Sequence, residues 1–328
     1  MRRLQLLLVL YLCAGKYAGS QLKIIPRISN GYAINSGMAP WHAGLYLKTK
    51  NPYKQICGGT VITKNVVVTA AHCIMTDPVD GMPPASQFAV AAGNVYREWN
   101  HTDDVDAQRS DVSEIKIPPR YQGFLANFQD DIALLILVNE FRYNEYVQAA
   151  CINFSADFDE EQLEEGKFGK VVGWGLTNAN SGNSRVLRAA TFPCVNINKC
   201  IAQSPLSFKS SITGDKICAG YTNGTAVCRG DSGGGLVFPS EVNGIVRFFL
   251  RGIVSTAFAT ENMCNIYTWA TFTHLLRHEH FVKAYVPDVE EFCAPPSDNA
   301  QITIQSRFSG PDRRPKNNKC PCTCPNTE

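Results

Sequence analysis

The sequence predicts an all-β fold closed by one helix near the end of the folded region. Short segments rich in β-forming residues alternate with turn residues along the chain. They span residues 43–47, 59–63, 66–70, 132–138, 170–173, 234–238 and 248–255. Helical periodicity is scarce, and we expect one helix of useful length at residues 273–285, with apolar positions Leu275, Leu276, Phe281 and Val282. This pattern is typical of a β-barrel or a β-sandwich.

Composition and charge narrow the classes of partner. Of the 328 residues, 45% are hydrophobic and 18% are charged, and 31 Lys and Arg against 29 Asp and Glu give a net charge of +2. A chain of this size can bury about three quarters of its extended surface, so a large core is available. Its weak net charge provides no field that would gather nucleic acid or an anionic membrane. We therefore expect neither as a partner.

The first 20 residues have the pattern of a secretory signal. Arg2 and Arg3 precede a continuous apolar stretch at residues 6–14, which small residues follow at 18–20. A membrane-spanning helix needs about 20 apolar residues, which is more than this stretch provides. We therefore expect residues 1–20 to be a cleaved signal peptide and the mature protein to be secreted and extracellular.

Cysteines and glycosylation sequons fit the same compartment. Cys13 lies in the predicted signal, and the 12 cysteines that remain suit disulfides in an oxidising environment. Cys320, Cys322 and Cys324 lack the paired spacing of a structural zinc site, and we expect no metal and no cofactor. They belong to a segment poor in core-forming residues, so residues 294–328 are predicted to be a mobile tail. The predicted glycosylation sites are Asn100, Asn153 and Asn223.

Four short segments supply the parts of nucleophilic acyl chemistry. Such chemistry needs a serine, a base to take its proton, a carboxylate to orient the base, and donors for the developing oxyanion. The segments are Thr-Ala-Ala-His-Cys at 69–73, Asp-Asp-Ile-Ala-Leu-Leu at 130–135, Gly-Asp-Ser-Gly-Gly at 230–234 and Arg-Ile-Ser-Asn-Gly at 27–31.

These motifs resemble those of the chymotrypsin/trypsin-like serine endopeptidases, in the order in which that family carries them. The resemblance extends from Ile28 to about Ala284 and includes Pro-Trp at 40–41, Cys-Gly-Gly at 57–59 and Gly-Trp-Gly at 173–175. It implies two packed six-stranded antiparallel β-barrels with a C-terminal helix, a protease domain over residues 28–293, and a protein or peptide substrate. The active cleft would lie between the barrels.

The resemblance assigns a role to each catalytic position. His72 would be the general base, Asp131 would orient it, and Ser232 would be the nucleophile, with the amides of Gly230 and Ser232 as the oxyanion hole. Asp130, next to Asp131, is expected to face solvent or to cap a turn. The alternative is a catalytically inactive homologue that acts as an extracellular binding module, although all three triad residue types are present.

The resemblance also implies a zymogen. Residues 21–27 would be an activation propeptide, cut after Arg27 by a trypsin-like protease. The new ammonium group of Ile28 would then pair with Asp231 and order the oxyanion hole.

Family alignment implies three disulfides, Cys57–Cys73, Cys200–Cys218 and Cys228–Cys264. The pairing of Cys151, Cys194, Cys293, Cys320, Cys322 and Cys324 stays open, because six cysteines allow 15 connectivities. Cys293 and Cys194 are the alternative partners considered for Cys151.

Substrate choice would depend on the pocket before the nucleophile. Ala226 falls at its base, where trypsin-like members carry an aspartate, so a buried Lys or Arg side chain would lack its counter-charge. Ala257 and Asn265 fall at its walls, where added side chains would narrow it, and Ser255, on the same segment, is also expected to bind the substrate. We therefore expect small or medium uncharged residues before the cleaved bond.

Overall fold

A computed structural model describes residues 31–76, 79, 81–176, 182–256 and 267–291. The predicted signal peptide, propeptide and tail lie outside these residues, as do Ala257, Cys264 and Asn265.

The first barrel is built from six antiparallel strands in the N-terminal half. A two-residue strand, β1 (Tyr32–Ala33), precedes them. The barrel strands are β2 (His42–Leu47), β3 (Lys54–Val61), β4 (Val66–Thr69), β5 (Phe88–Ala92), β6 (Gln108–Lys116) and β7 (Ala133–Leu137). They close in the order β2-β3-β4-β7-β6-β5. All four residues of β4 are buried, which explains why this segment reads as a continuous apolar stretch.

The second barrel repeats this architecture in the C-terminal half. Its strands are β8 (Phe168–Gly173), β9 (Arg188–Val195), β10 (Lys216–Ala219), β11 (Gly235–Val242), β12 (Ile245–Thr256) and β13 (Ala270–His274). The circuit β8-β9-β10-β13-β12-β11 closes on β8, and β1 adds to the edge at β9. The prediction of two six-stranded antiparallel barrels is confirmed.

Within the described ranges, four short helices lie outside the barrels. They are α1 (Ala156–Leu163), α2 (Ile197–Gln203), α3 (Leu206–Lys209) and α4 (Glu279–Tyr285). Side-chain oxygens of Ser155 and Asn196 cap α1 and α2. Single 3-10 turns occur at Ala71–Cys73, Ala85–Gln87, Gly123–Ala126 and Leu275–His278. In the described part of the chain, no helix is long and apolar enough to cross a membrane.

The predicted terminal helix was wrong at its start. Thr273 and His274 belong to strand β13, a 3-10 turn follows at Leu275–His278, and the α-helix begins only at Glu279. The β-branched Thr271 and Thr273 are completely buried in the barrel wall, where their stiff side chains favour a strand over a helix.

The main hydrophobic core fills the first barrel and extends to the contact between the barrels. Trp41, Leu45, Val68 and Leu134 lie in it together with Leu250 and Ile253 of the second barrel. A separate cluster around Phe192, Leu236 and Phe272 fills the second barrel. Because the barrels share apolar packing, loops on their facing sides are held at fixed positions.

Candidate active site

His72 and Asp131 meet at the open end of the first barrel. His72 lies in the 3-10 turn that directly follows β4, and Asp131 lies two residues before β7 begins. Since β4 and β7 are paired, with Thr69 opposite Ala133, the two segments end side by side. The Nδ1 atom of His72 lies 2.8 Å from Oδ2 of Asp131, and the His72 amide donates to Oδ1 at 2.9 Å. The carboxylate therefore contacts His72 twice, once at the imidazole and once at the backbone amide.

The second barrel completes the surroundings of Asp131. The hydroxyl of Ser255 donates to Oδ2 of Asp131 at 2.5 Å, and the hydroxyl of Thr273 donates to its backbone oxygen at 2.9 Å. Ser255 is the extra residue at a break in the pairing of β12 with β13, because Val254 faces Phe272 and Thr256 already faces Thr271. Such a bulge re-aims a side chain. Sequence reasoning placed Ser255 beside the substrate and missed this contact with Asp131.

Burial and charge act against each other on this pair. Burial disfavours the charged form of both residues, but the opposite charge and the shared hydrogen bond outweigh it. The pKa of His72 is therefore raised above its ordinary 6.5, and the pKa of Asp131 is lowered below its ordinary 3.8. Asp131 is completely buried, whereas the His72 side chain keeps 21% of its surface exposed. The imidazole is thus open to a reacting group.

Ser232 lies on a loop of the second barrel that touches the first. The amide of Gly58 donates to the backbone oxygen of Ser232 at 2.8 Å. Gly233 has φ +79°, and a Cβ there would overlap Gly58 O and Thr69 Oγ1, so only glycine permits this approach. Within the described residues Ser232 has no hydrogen bond to His72, whose Nε2 lies 3.9 Å from Cys73 Sγ. The structure thus brings the backbone of Ser232 against β3 of the first barrel, with no described hydrogen bond between Ser232 and His72.

The amides assigned to the oxyanion hole are available. Neither the Gly230 nor the Ser232 amide donates to another described residue. Gly230 has φ +103°, and its backbone oxygen accepts a 3.3 Å bond from the buried Gln55 side chain. Sequence reasoning did not identify Gln55, because its partner lies 175 residues further along the chain.

Asp231 is a completely buried carboxylate. It accepts hydrogen bonds from the amides of Gly175 at 2.7 Å and Cys228 at 3.0 Å. Within the described residues no Lys, Arg or His forms an ion pair with it. Burial, only partly offset by the two amides, raises its pKa to about 6. Asp231 is therefore a buried acid without a cationic partner among these residues.

The predicted substrate pocket is described in part. Ala226 is 5% exposed and has no polar side-chain atom, and Ser255 is equally buried. Ala257 and Asn265 lie outside the described residues, as do the activation residues Arg27 and Ile28. Of the glycosylation sequons, Asn100 and Asn223 are exposed and Asn153 is half-buried.

The structure determines part of the disulfide connectivity that the sequence left open. The structure contains the Cys57–Cys73 and Cys200–Cys218 disulfides. Cys151 and Cys228 are also disulfide-bonded, with partners outside the described residues. Cys194 is a free, buried thiol whose pKa burial raises to about 12, so it is not the partner of Cys151.

Asp130 does not face solvent, so this half of the expectation for Asp130 was wrong. It is 3% exposed, has φ +58°, and its carboxylate lies 3.2 Å from Arg120 Nε. The side chain of Arg120 is 81% exposed, so the buried Asp130 carboxylate meets this counter-charge at the protein surface.

Comparisons with known proteins agree with this fold. The sequence model of the Trypsin family matches residues 28–273, which is most of the chain, and the chain therefore belongs to that family. Its similarity to "Modular serine protease" of Drosophila melanogaster is 31% identity over 236 residues, covering 70% of this chain and 36% of that protein. "Clotting factor C" of Tachypleus tridentatus is 35% identical over 238 residues, covering 70% of this chain and 22% of the relative.

A third relative is matched over most of its length. "Clotting factor G beta subunit" of Tachypleus tridentatus is 30% identical over 253 residues, covering 75% of this chain and 76% of the relative. In contrast, the chain spans only about a third or less of the first two relatives.

Proposed function

We propose that this chain is a secreted serine endopeptidase that hydrolyses peptide bonds through an acyl-enzyme. Ser232 attacks the scissile carbonyl while His72 takes its proton, and Asp131 holds the imidazole with its Nε2 directed to the serine. The amides of Gly230 and Ser232 stabilise the oxyanion. His72 then gives its proton to the leaving amine, and water releases the acyl group by the same route.

The observation that carries this proposal is the hydrogen bond of 2.8 Å between His72 Nδ1 and Asp131 Oδ2. A completely buried carboxylate is costly in free energy, so its pairing with a partly exposed histidine supports a role in holding the imidazole in place. The Ser232 loop is anchored on the same side, through Gly58 of β3, and the Cys57–Cys73 disulfide joins the neighbours of Gly58 and His72. Base and nucleophile are therefore held by one connected piece of structure.

We infer that cleavage after Arg27 activates the protein. Asp231 lacks a cationic partner among the described residues, and a buried carboxylate is costly unless it is paired. The ammonium group of Ile28 would supply the charge, and the pair would order the Gly230–Ser232 segment next to it. The activating partner would be a trypsin-like protease, since Arg27 precedes the bond.

The described pocket supports a preference for uncharged residues. Ala226 offers no counter-charge at the base, so small or medium uncharged side chains should be accepted before the cleaved bond. The relatives named clotting factors support a role in limited proteolysis rather than bulk digestion.

A fluorophosphonate probe tests the assignment of the nucleophile. The chain is cleaved at Arg27–Ile28 and then labelled, with Ser232→Ala as the matched control and His72→Ala to test the base. We expect labelling of the cleaved wild type at Ser232, none in Ser232→Ala, and strongly slowed labelling in His72→Ala. Silence of the cleaved, folded wild type would support the inactive binding module instead.

A further inference from the structure

A buried charge pair at the start of β10 lies against the loop that carries the catalytic aspartate. Lys216 Nζ contacts both carboxylate oxygens of Asp215, at 3.0 and 2.9 Å. The two side chains are 0% and 8% exposed. A buried ion pair is weak evidence for stability by itself, so its location is the informative feature.

The pair holds two points of one short segment on the other barrel. Lys216 Nζ donates to the backbone oxygen of Phe128 at 2.8 Å, and Asp215 Oδ2 accepts from the amide of Asp130 at 2.9 Å. These contacts bracket residues 128–130, which lead directly into Asp131. Two residues of the second barrel therefore clamp the approach to the catalytic aspartate on the first.

The clamped segment has a backbone that needs outside support. Asn127, Phe128 and Asp130 all have positive φ, at 51°, 59° and 58°. Non-glycine residues adopt this region at a cost and keep it only where neighbours enforce it. The two contacts from Lys216 and Asp215 are suited to enforce it, because each binds a backbone group of the strained segment.

The same segment reaches His72 directly. The Phe128 ring stands edge-on to the His72 imidazole, with centroids 6.0 Å apart and planes at 77°. The charge of Lys216 also acts at His72, where it lowers the pKa against the larger effect of Asp131. His72 and Asp131 therefore both lie next to the 128–130 segment that Lys216 and Asp215 hold.

Three further side chains contact the two acids of this region, Asp130 and Asp215. Thr213 Oγ1 donates to Asp215 Oδ1 at 2.5 Å, and Arg120 pairs with Asp130. His278 of the terminal 3-10 turn lies between the two acids, 3.4 Å from Asp215 and 3.9 Å from Asp130. Asp130, Asp215 and His278 have the composition of a metal site, but Lys216 already supplies the cation that Asp215 needs.

We propose that Lys216 and Asp215 are positioning residues for catalysis, which clamp the 128–130 segment so that Asp131 and His72 keep their mutual geometry. The proposal rests on the proposed protease function, because it concerns the efficiency of that reaction.

The test combines steady-state kinetics with the nuclear magnetic resonance (NMR) signal of the His72 Nδ1 proton. Lys216→Met removes the clamp, and Lys216→Arg keeps a cation that can reach the same oxygens. We expect Lys216→Met to lower kcat at least tenfold with KM within about twofold, using the best peptide from a library. The low-field Nδ1 proton signal, recorded at pH 5, should broaden or vanish in Lys216→Met and return in Lys216→Arg.

Arg251→Met is the matched control. Arg251 is also a buried cation paired with an acid, Asp159, at 3.4 Å, and its hydrogen bonds go to Asn153 and Gln162, away from the clamped segment. It should lose stability without changes in kcat or in the proton signal. If Lys216→Met does not fold, the Asp215→Asn/Lys216→Met double variant removes both charges together and leaves neither unpaired.

The outcomes separate the two proposals. Unchanged kcat and an unchanged proton signal in a folded Lys216→Met or double variant would overturn the clamp, as would equal effects in Arg251→Met. An inactive wild type would overturn the protease function, while the NMR comparison would still decide whether the clamp positions His72.

Discussion

The Asp231 carboxylate accepts a hydrogen bond of 2.7 Å from the backbone amide of Gly175, in a site that water does not reach. This contact joins the segment of the nucleophile to the end of β8. Two amide donors stabilise the charge of Asp231 only in part, since the pKa stays near 6. In its described surroundings, burial therefore favours the neutral form of Asp231.

The first prediction is a loss of stability of the uncleaved chain as pH rises from about 4 to about 6. The pKa of Asp231 is 3.8 when unperturbed and about 6 when folded, so the folded state holds the proton more tightly. The contribution of protonated Asp231 to the free energy of unfolding is fully present below pH 4 and is lost as pH rises through 6. The difference corresponds to about 3 kcal/mol in the free energy of unfolding.

Chemical denaturation across this pH range measures the effect. Asp231→Asn should lack this slope, whatever constant offset the lost hydrogen bond adds. Cleavage after Arg27, in a Ser232→Ala background that prevents self-digestion, should flatten the slope because a cation now pairs with Asp231. Equal slopes in cleaved and uncleaved protein would argue against that pairing.

The second prediction concerns the space around Asp231. A methyl group in Gly175→Ala would overlap the Asp231 carboxylate and displace it. We expect the cleaved variant to lose at least tenfold in kcat/KM, because the amides of Gly230 and Ser232 proposed as the oxyanion hole flank Asp231. Gly214→Ala is the control, since its added methyl meets no atom within 4 Å. Full activity in Gly175→Ala would show that the position of Asp231 is unimportant.

The third prediction distinguishes the two adjacent aspartates. Asp131→Asn should reduce kcat by up to about four orders of magnitude, because the amide favours the wrong imidazole tautomer. Asp130→Asn should lower stability through the loss of its pair with Arg120, yet retain most activity. Denaturation and peptide hydrolysis of both variants decide this. The reverse ranking of activities would mean that the orienting carboxylate is Asp130.

The fourth prediction is the pH dependence of the general base. Because Asp131 raises the pKa of His72 above 6.5, activity should increase with pH through a value above 6.5. In Asp131→Asn the raising charge is gone and burial remains, so the His72 pKa should fall. NMR titration of His72 in a Ser232→Ala background measures both values. A His72 pKa that is the same in both proteins would contradict the dominance of Asp131.

Local sequence patterns were sufficient to predict much of the fold, but they could not predict the long-range contacts at the site. The apolar composition of the segments that form β4, β7 and β12 predicts strands, because both faces of these strands are largely buried. The contact of Ser255 with Asp131 joins residues 124 positions apart, and that of Lys216 with Phe128 spans 88. Such contacts depend on a bulge and on the packing of two barrels, which no local pattern expresses.

The fifth prediction tests the substrate pocket. A peptide library should show cleavage after small or medium uncharged residues, with Arg and Lys poor, because a buried cation opposite Ala226 would stay unpaired. Ala226→Asp supplies a carboxylate at that point and should shift the profile toward Arg and Lys. Ala226→Asn is the control, since it adds the same bulk without the charge and should reduce cleavage of uncharged residues without favouring basic ones. One methylene of apolar contact contributes only about 1–3 kcal/mol to selectivity, less than the penalty for an unpaired buried charge. An Arg-dominated profile of the wild type would therefore require an acid from elsewhere in the pocket and would refute the assignment of Ala226 as its base.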